Sequence, residues 1–217
     1  MKVKITEDGS KTVYSQQFNQ TYHSIFGAKT ESERVYLELG FEEASKKFDT
    51  IKILEIGFGT GLNAYLSKMH AEKFRIPTEY LGIEAFPLSE KNYSKLDTEL
   101  QIFHLASWQQ NHELSEFFNF KKIKIKTEDF ETDESYNLIY YDAFAPETQP
   151  ELWTEQIFSK MKKLLVTGGI LTTYCSKVIV QKNLKYAGFK IEKHKGPPHK
   201  REVLRAVKVE TLGFEKI

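Results

Sequence analysis

Strands that alternate with helices along the 217 residues predict an α/β fold around a mostly parallel sheet. Three observations carry that reading. In Ile51–Asn63, I-K-I-L-E-I-G-F-G-T-G-L-N, an apolar β-branched run breaks into three alternating glycines and then into a helical pattern. Two further strand-like runs, Glu79–Glu84 and Tyr136–Asp142, each end in an acid. The last two strands, Phe189–His194 and Glu202–Val209, are joined by a Gly196-Pro197-Pro198 turn that makes one of them antiparallel.

The other elements follow in order. Val3–Ile5 and Thr12–Tyr14 around Asp8-Gly9 predict a small hairpin, followed by an irregular aromatic stretch over Phe18–Ala28. Thr30-Glu31-Ser32-Glu33 has capping-box spacing, and Leu37, Phe41, Ala44 and Phe48 give the helix after it one apolar face. Leu62, Tyr65, Leu66 and Met69 do the same for the helix opened by the glycines. A helix is expected from Ser89, mostly helix across Gln101–Phe120, and a strand over Ile123–Thr127. Trp153, Ile157, Met161 and Leu164 share one face of a helix after Pro150, and Gly168-Gly169 turns into the strand Ile170–Cys175. Ser176 is placed to cap a last helix, which Gly188 ends. No repeat or linker divides the chain, so residues 1–217 read as one domain, with 1–28 a hairpin and loop extension.

Composition narrows the function. No apolar run reaches membrane-spanning length, and Met1–Gly9 lacks the apolar core of a signal peptide. Cys175 stands alone, which excludes an internal disulfide and a cysteine metal cluster, and no metal is expected. A cytoplasmic protein follows. Net charge is only +1, but Lys177–Lys208 holds ten Lys/Arg against Glu192 and Glu202. Such a face suits phosphates as well as it suits plain solvation.

The cofactor is read from spacing and charge. A dinucleotide fingerprint needs a third glycine where Leu62 stands, and Gly61-Leu62-Asn63 lacks the Lys-Ser/Thr of a P-loop. Glu55 would repel a pyrophosphate but suits a cation, so a sulfonium cofactor with an amino-acid tail fits. The candidate contacts in the loop are Glu55, Gly57, Phe58, Gly59, Gly61 and Asn63. At later strand ends, Glu84 can accept from ribose hydroxyls and Asp129 from an adenine amino group. This E-x-G-x-G-x-G loop resembles the S-adenosylmethionine loop of Rossmann-like methyltransferases, and the strand order matches their seven-stranded sheet.

Asp142-Ala143-Phe144-Ala145-Pro146 ends the fourth strand of the sheet and carries the candidate chemistry. A primary alkylamine has a pKa of about 10 and is protonated near neutrality, without a lone pair to attack with. Asp142 can bind the ammonium, orient it and help remove a proton, while Phe144 offers a face to a base or a cation. His23 and His199 are further proton acceptors by residue type.

Five segments, in this order and spacing, carry a closer resemblance: Tyr22–Ala28, Glu55–Asn63, Ile83-Glu84-Ala85-Phe86-Pro87-Leu88, Asp142–Pro146 with Pro150-Glu151-Leu152-Trp153, and Lys200-Arg201-Glu202. From about Tyr14 to Ala206 the chain resembles the methyltransferase domain of the MnmC-type tRNA modification enzymes. That resemblance implies transfer of a methyl group from S-adenosyl-L-methionine to the 5-aminomethyl nitrogen of a wobble 5-aminomethyl-(2-thio)uridine in tRNA. It implies Asp142 as the active-site acid. It implies Lys200 and Arg201 near the pocket, meeting RNA or holding the active-site acids; His23, Phe144 and Pro146 are the other candidates for the substrate side. Bifunctional relatives carry an oxidase domain that makes the amine, so a chain ending at Ile217 is expected to receive it from a separate enzyme. The chain departs from the family at Gly196-Pro197-Pro198-His199, Ala143 and Val203. Methylation of a free small-molecule amine and a non-catalytic RNA-binding module stay open as alternatives.

Overall fold

The computed structural model of the protein describes residues 2–210. Its main sheet holds β4 (Ile51–Ile56), β5 (Thr78–Glu84), β6 (His112–Ser115), β7 (Phe118–Lys124), β8 (Tyr136–Tyr141), β9 (Leu165–Thr173), β10 (Lys190–Lys195) and β11 (Glu202–Val207). Their order is β10-β11-β9-β8-β4-β5-β7-β6. Strands β7, β5, β4, β8 and β9 are parallel, and β11 inserts antiparallel between β9 and β10. The expected seven strands are all present. An eighth, β6, pairs antiparallel on the far edge.

That edge corrects the expectation of helix across Gln101–Phe120. A short helix, α5 (Thr98–Leu105), stops there and the chain turns into β6 and β7. Phe118 and Phe120 are buried on one face of β7 while Asn119 between them is exposed, the two-residue period of a strand. The third parallel strand therefore starts at Phe118 and ends at Lys124, before the Ile123–Thr127 expected.

Alternation along the central strands splits the core into two layers. Ile53, Leu138 and Tyr140 pack with the N-terminal helix, α3 (Leu62–Phe74) and α5. Leu54, Ile56, Ile139 and Tyr141 pack with α6 (Glu155–Leu164) and α7 (Val178–Tyr186). Each fully buried Leu, Ile or Phe here contributes about 1.5–3 kcal/mol. Met69 is exposed, and the buried face of α3 instead includes Asn63 and Ser67. Both are polar because they serve buried groups: Ser67 bonds the Tyr140 hydroxyl at 3.1 Å, and Asn63 bonds two carboxylates described below.

The N-terminal extension is a three-stranded sheet, β1 (Lys2–Ile5), β2 (Lys11–Ser15) and β3 (Gln20–Thr21), rather than a hairpin alone. Helix α1 (Ala28–Ser32) runs on through a π-helical stretch, Glu33–Phe41, into α2 (Glu42–Ser45). The capping box does not form. The helix starts after Gly27, and the Asp8 carboxylate reaches across from the β1–β2 turn to accept from the Thr30 N–H at 2.9 Å and its hydroxyl at 2.8 Å. The short helix α4 (Glu90–Tyr93) follows Ser89 as expected. Thr154, not the turn Pro150–Trp153, caps α6, by accepting from the Ile157 N–H at 3.4 Å. Lys177 rather than Ser176 is the N-cap residue of α7, with no side-chain cap there. Among the described residues no helix is long and apolar enough to cross a membrane.

Candidate active site

Register brings the chemistry to one edge of the sheet. Glu55 pairs with Tyr140 and Ile56 with Tyr141, so Asp142 and Gly57 leave their strands side by side. The Asp142 N–H donates to the Ile56 carbonyl at 2.9 Å, and the N–H groups of Gly57 and Phe58 donate to Ile83 at 3.1 and 3.0 Å. Gly57 has φ +88°, and a Cβ there would lie 2.6 Å from the Asp142 carbonyl oxygen. Only glycine suits both demands.

A cavity opens at this edge. Gly57, Gly59, Ile83, Glu84, Phe86, Thr127, Asp142 and Phe144 are among its walls. The Gly59 N–H donates to Glu84 at 2.9 Å and the Phe86 N–H to its other oxygen at 2.8 Å. Glu84 is thus fixed in place with lone pairs left toward the cavity. Burial raises its pKa above the usual carboxylate range, against the pull of those N–H donors. Phe18 and Tyr22 from the N-terminal extension close the outer side, their rings 4.5 and 5.0 Å from that of Phe144.

Asp142 is a strongly perturbed acid facing the cavity. Burial pushes its pKa up to about 7, with Glu31 adding to the rise, while Tyr36, Asn63 and Lys200 oppose it. The Asn63 amide bridges two carboxylates, donating to Asp142 at 2.9 Å and to Glu55 at 2.8 Å. The Tyr36 hydroxyl comes from the π-helical stretch toward Asp142, buried and without a partner at full hydrogen-bond geometry. Glu55 is fully buried behind the loop, and one of its oxygens has no partner. Burial and the charge of Asp142 drive its pKa well up.

A second cavity shares Tyr22, His23, Asp142, Ala143 and Phe144 with the first. The N-terminal extension and the β10–β11 turn build it, through Gln20, Phe26, Glu31, Tyr174, His199 and Lys200. Lys200 forms an ion pair with Glu31 and lies 4.5 Å over the Tyr174 ring. Tyr174 and Trp153 hold the loop after β8 by donating to the carbonyls of Ala143 and Phe144 at 2.9 and 2.7 Å. His23 Nε2 sits 2.6 Å from the Thr60 hydroxyl, and burial lowers its pKa to about 4. It is therefore neutral near pH 7.

Of the residues expected from sequence, Gly57, Gly59, Glu84, Asp142, His23, Phe144 and Lys200 meet at these two cavities. Others stand elsewhere. Glu55 and Asn63 act from behind the wall. Phe58 is buried against Gly82 and Phe120, and Gly61 lies under its ring. Asp129 is exposed, and Thr127 lines the cavity in its place, because β7 ends three residues before Thr127. Pro146 is half-buried in the loop and outside both linings. Arg201 is exposed in an outer groove with Arg34 and Lys195. Of the ten cations in Lys177–Lys208, Lys177, Lys190, Lys193, Lys200 and Arg205 are already paired with acids.

Sequence reasoning missed Phe18, Tyr22, Glu31, Tyr36 and Tyr174. Glu31 was hidden inside a segment whose capping-box spacing concerns Thr30 and Glu33, and Tyr36 by a helical phase that the π-helical stretch alters. The aromatic density of Phe18–Phe26 was the one available signal.

Comparison with known proteins places this geometry. A family model described as S-adenosyl-L-methionine-dependent methyltransferase matches residues 90–209. The tRNA 5-methylaminomethyl-2-thiouridine biosynthesis bifunctional protein MnmC of Leptospira borgpetersenii serovar Hardjo-bovis is 30% identical over 216 residues, 89% of this chain and 33% of that protein. The protein of the same name from Pseudoalteromonas atlantica is 27% identical over 94% of this chain and 33% of its own length. The chain thus spans about a third of the length of these curated relatives. The crystal structure of MNMC2 from Aquifex aeolicus superposes with a TM-score of 0.80 at 26% identity, covering 99% of this chain and 72% of that one.

Proposed function

The chain belongs to the S-adenosyl-L-methionine-dependent methyltransferases, and on that premise we propose that it methylates a primary amine: the 5-aminomethyl group of a wobble 5-aminomethyl-(2-thio)uridine in tRNA. One observation carries the reading. Asp142, a single recessed carboxylate with a raised pKa, forms part of the wall of both cavities. The substrate is suggested by the names of the relatives, which concern tRNA 5-methylaminomethyl-2-thiouridine biosynthesis.

The first cavity fits the cofactor. Gly57 and Gly59 line it without side chains, so a ligand can lie against backbone there. The anchored Glu84 carboxylate suits a pair of ribose hydroxyls. When bound, the cofactor supplies an electrophilic sulfonium methyl group. Asp142 binds the substrate ammonium from the second cavity and directs its nitrogen toward the first. With a pKa of about 7 it is a better proton acceptor than an ordinary carboxylate, so it can take the proton that frees the lone pair. Tyr22 and Phe144 exclude water at the junction. Asn63 holds Asp142 in this orientation, and Glu55 in turn holds Asn63.

The fold described here holds the methyl-donor site and its neighbouring cavity, so formation of the amine is assigned to a separate activity, on this polypeptide or another. A lone cysteine and a tRNA substrate suit the cytoplasm. A second reading, methylation of a free amine, gains support from the cations already neutralised within the fold. Transfer of labelled methyl to bulk tRNA from cells lacking the modification, followed by nucleoside analysis, separates the two. The tRNA reading expects label in 5-methylaminomethyl nucleosides and a steep fall of RNA affinity with salt. Label on free amines alone, at a rate insensitive to salt, would overturn it.

A further inference from the structure

The second cavity contains two carboxylates and one cation, and the cation is on the unexpected partner. Lys200 pairs with Glu31, not with Asp142. Glu31 is well prepared for this: its side chain is 11% exposed, and its other oxygen accepts from the Ser24 N–H at 3.3 Å. Lys200 is on a short tether, its own N–H donating to Pro197 at 3.0 Å, and its charge is felt at Asp142. Without Glu31, the nearest carboxylate in the cavity for this ammonium would be Asp142.

We propose that Glu31 is a positioning residue that sequesters Lys200, keeping the active-site carboxylate free for the substrate's ammonium group. The inference rests on the amine-methylation reading above and adds a specificity device to it. Asp142, Glu31 and Lys200 together leave one negative charge uncompensated when all are ionised. A substrate that brings a single positive charge neutralises the cavity, whereas a neutral uracil base brings no charge to pair with Asp142. Glu31 thus makes the site selective for the amine over the unmodified base. Lys200 in turn keeps Glu31 from adding its full repulsion to Asp142. The other titratable groups around Asp142 are Tyr36 on the π-helical stretch, Glu55 on β4, Tyr80 on β5, Tyr174 after β9, and His23 and Glu84 on the cavity walls. Neither these nor Tyr22 is a cation at neutral pH, and His199, which also lines the second cavity, faces Glu7 at 3.5 Å, so the Lys200 charge is the one that competes with substrate.

The test is a cycle of Glu31→Gln, Lys200→Met and the double variant, in the full chain. Two readouts are taken: steady-state kinetics on aminomethyl-bearing tRNA, and the Asp142 titration in the free protein by carboxyl-labelled NMR. Glu31→Gln releases Lys200 onto Asp142. KM rises about 10-fold while kcat changes by less than about 3-fold, and the Asp142 titration moves to lower pH. Lys200→Met moves that titration to higher pH. The double variant brings KM back to within about 3-fold of the wild type. A Glu31→Gln protein with unchanged KM and unchanged titration overturns the inference, as does a double variant no better than Glu31→Gln. Cofactor calorimetry and thermal melts on each variant separate these outcomes from misfolding. If the wild type itself fails to methylate tRNA while the titrations shift as stated, the amine-in-tRNA reading fails and the Glu31 assignment stands.

Discussion

The two cavities at the sheet edge meet at Asp142 but are built in opposite ways. The inner one is made by local sequence: a strand, a glycine turn, and the ends of the neighbouring strands β5 and β8. The outer one is assembled across the chain, from an N-terminal extension and a turn near residue 200 that meet through the Glu31–Lys200 pair. Backbone geometry fixes the first, and charge balance fixes the second. This contrast predicts that mutations in the inner cavity act on cofactor affinity or stability, and mutations in the outer one on substrate recognition.

The largest effect is expected where the cavities join. Asp142→Asn should lower kcat/KM by about 10³-fold while cofactor affinity stays within about 3-fold, measured by methyl-transfer kinetics and calorimetry. Comparable loss of cofactor binding would mean that Asp142 belongs to the inner cavity only, and the comparison would break. The next largest belongs to the glycine wall. Gly57→Ala places a Cβ 2.6 Å from the Asp142 carbonyl at φ +88°, so a destabilisation of about 1–3 kcal/mol is expected in a denaturant melt, with cofactor binding weakened in parallel. Glu84→Gln keeps the shape but removes the charge from an acceptor of ligand hydroxyls. Calorimetry should show about 10-fold weaker cofactor binding with the melt little changed.

The same contrast explains what was legible in the sequence. The inner cavity was read almost in full because its signals are local: Ile51–Asn63 states strand, turn and helix in thirteen consecutive residues, and Glu84 and Asp142 each stand at the end of an apolar run. It failed at Asp129, where a strand boundary three residues early exposes the acid and brings Thr127 to the wall. Phe58 and Asn63 were in the right loop with the wrong roles, because which face of a turn points inward depends on what packs beneath it. Here that is Phe120 for one and Glu55 for the other. The outer cavity was legible only through family resemblance. Glu31 and Lys200 lie 169 residues apart, and no local pattern announces that they will pair. The capping box at Thr30 fails for the same reason. A distant carboxylate, Asp8, outcompetes the local one.

A pH profile sharpens the comparison further, since Asp142, where the two cavities meet, titrates near neutrality. The Asp142 pKa lies above its ordinary value, at about 7, so the carboxylate is mostly protonated below pH 6 and mostly ionised above pH 8. Binding and deprotonating an ammonium both require the ionised form. The kcat/KM for amine methylation should therefore rise through about pH 7 as pH increases, while cofactor affinity stays flat across the same range. His23, held neutral by a pKa near 4, adds no limb in this window. A cofactor affinity that titrates together with the rate would merge the two cavities into one electrostatic unit.

The smallest effect is the most pointed test of the boundary between the cavities and the surface. Acids at strand ends mark cofactor contacts by rule, and Asp129 satisfies the rule in sequence as well as Glu84 does. The two differ in structure. Glu84 is held by two backbone N–H groups and lines the inner cavity, while Asp129 is exposed and outside it. Asp129→Asn should accordingly change cofactor affinity by less than about 2-fold, against about 10-fold for Glu84→Gln, in calorimetry under identical conditions. Equal effects would show that the segment after β7 closes onto the ligand when it binds, and would extend the inner cavity to a residue that the free protein leaves in solvent.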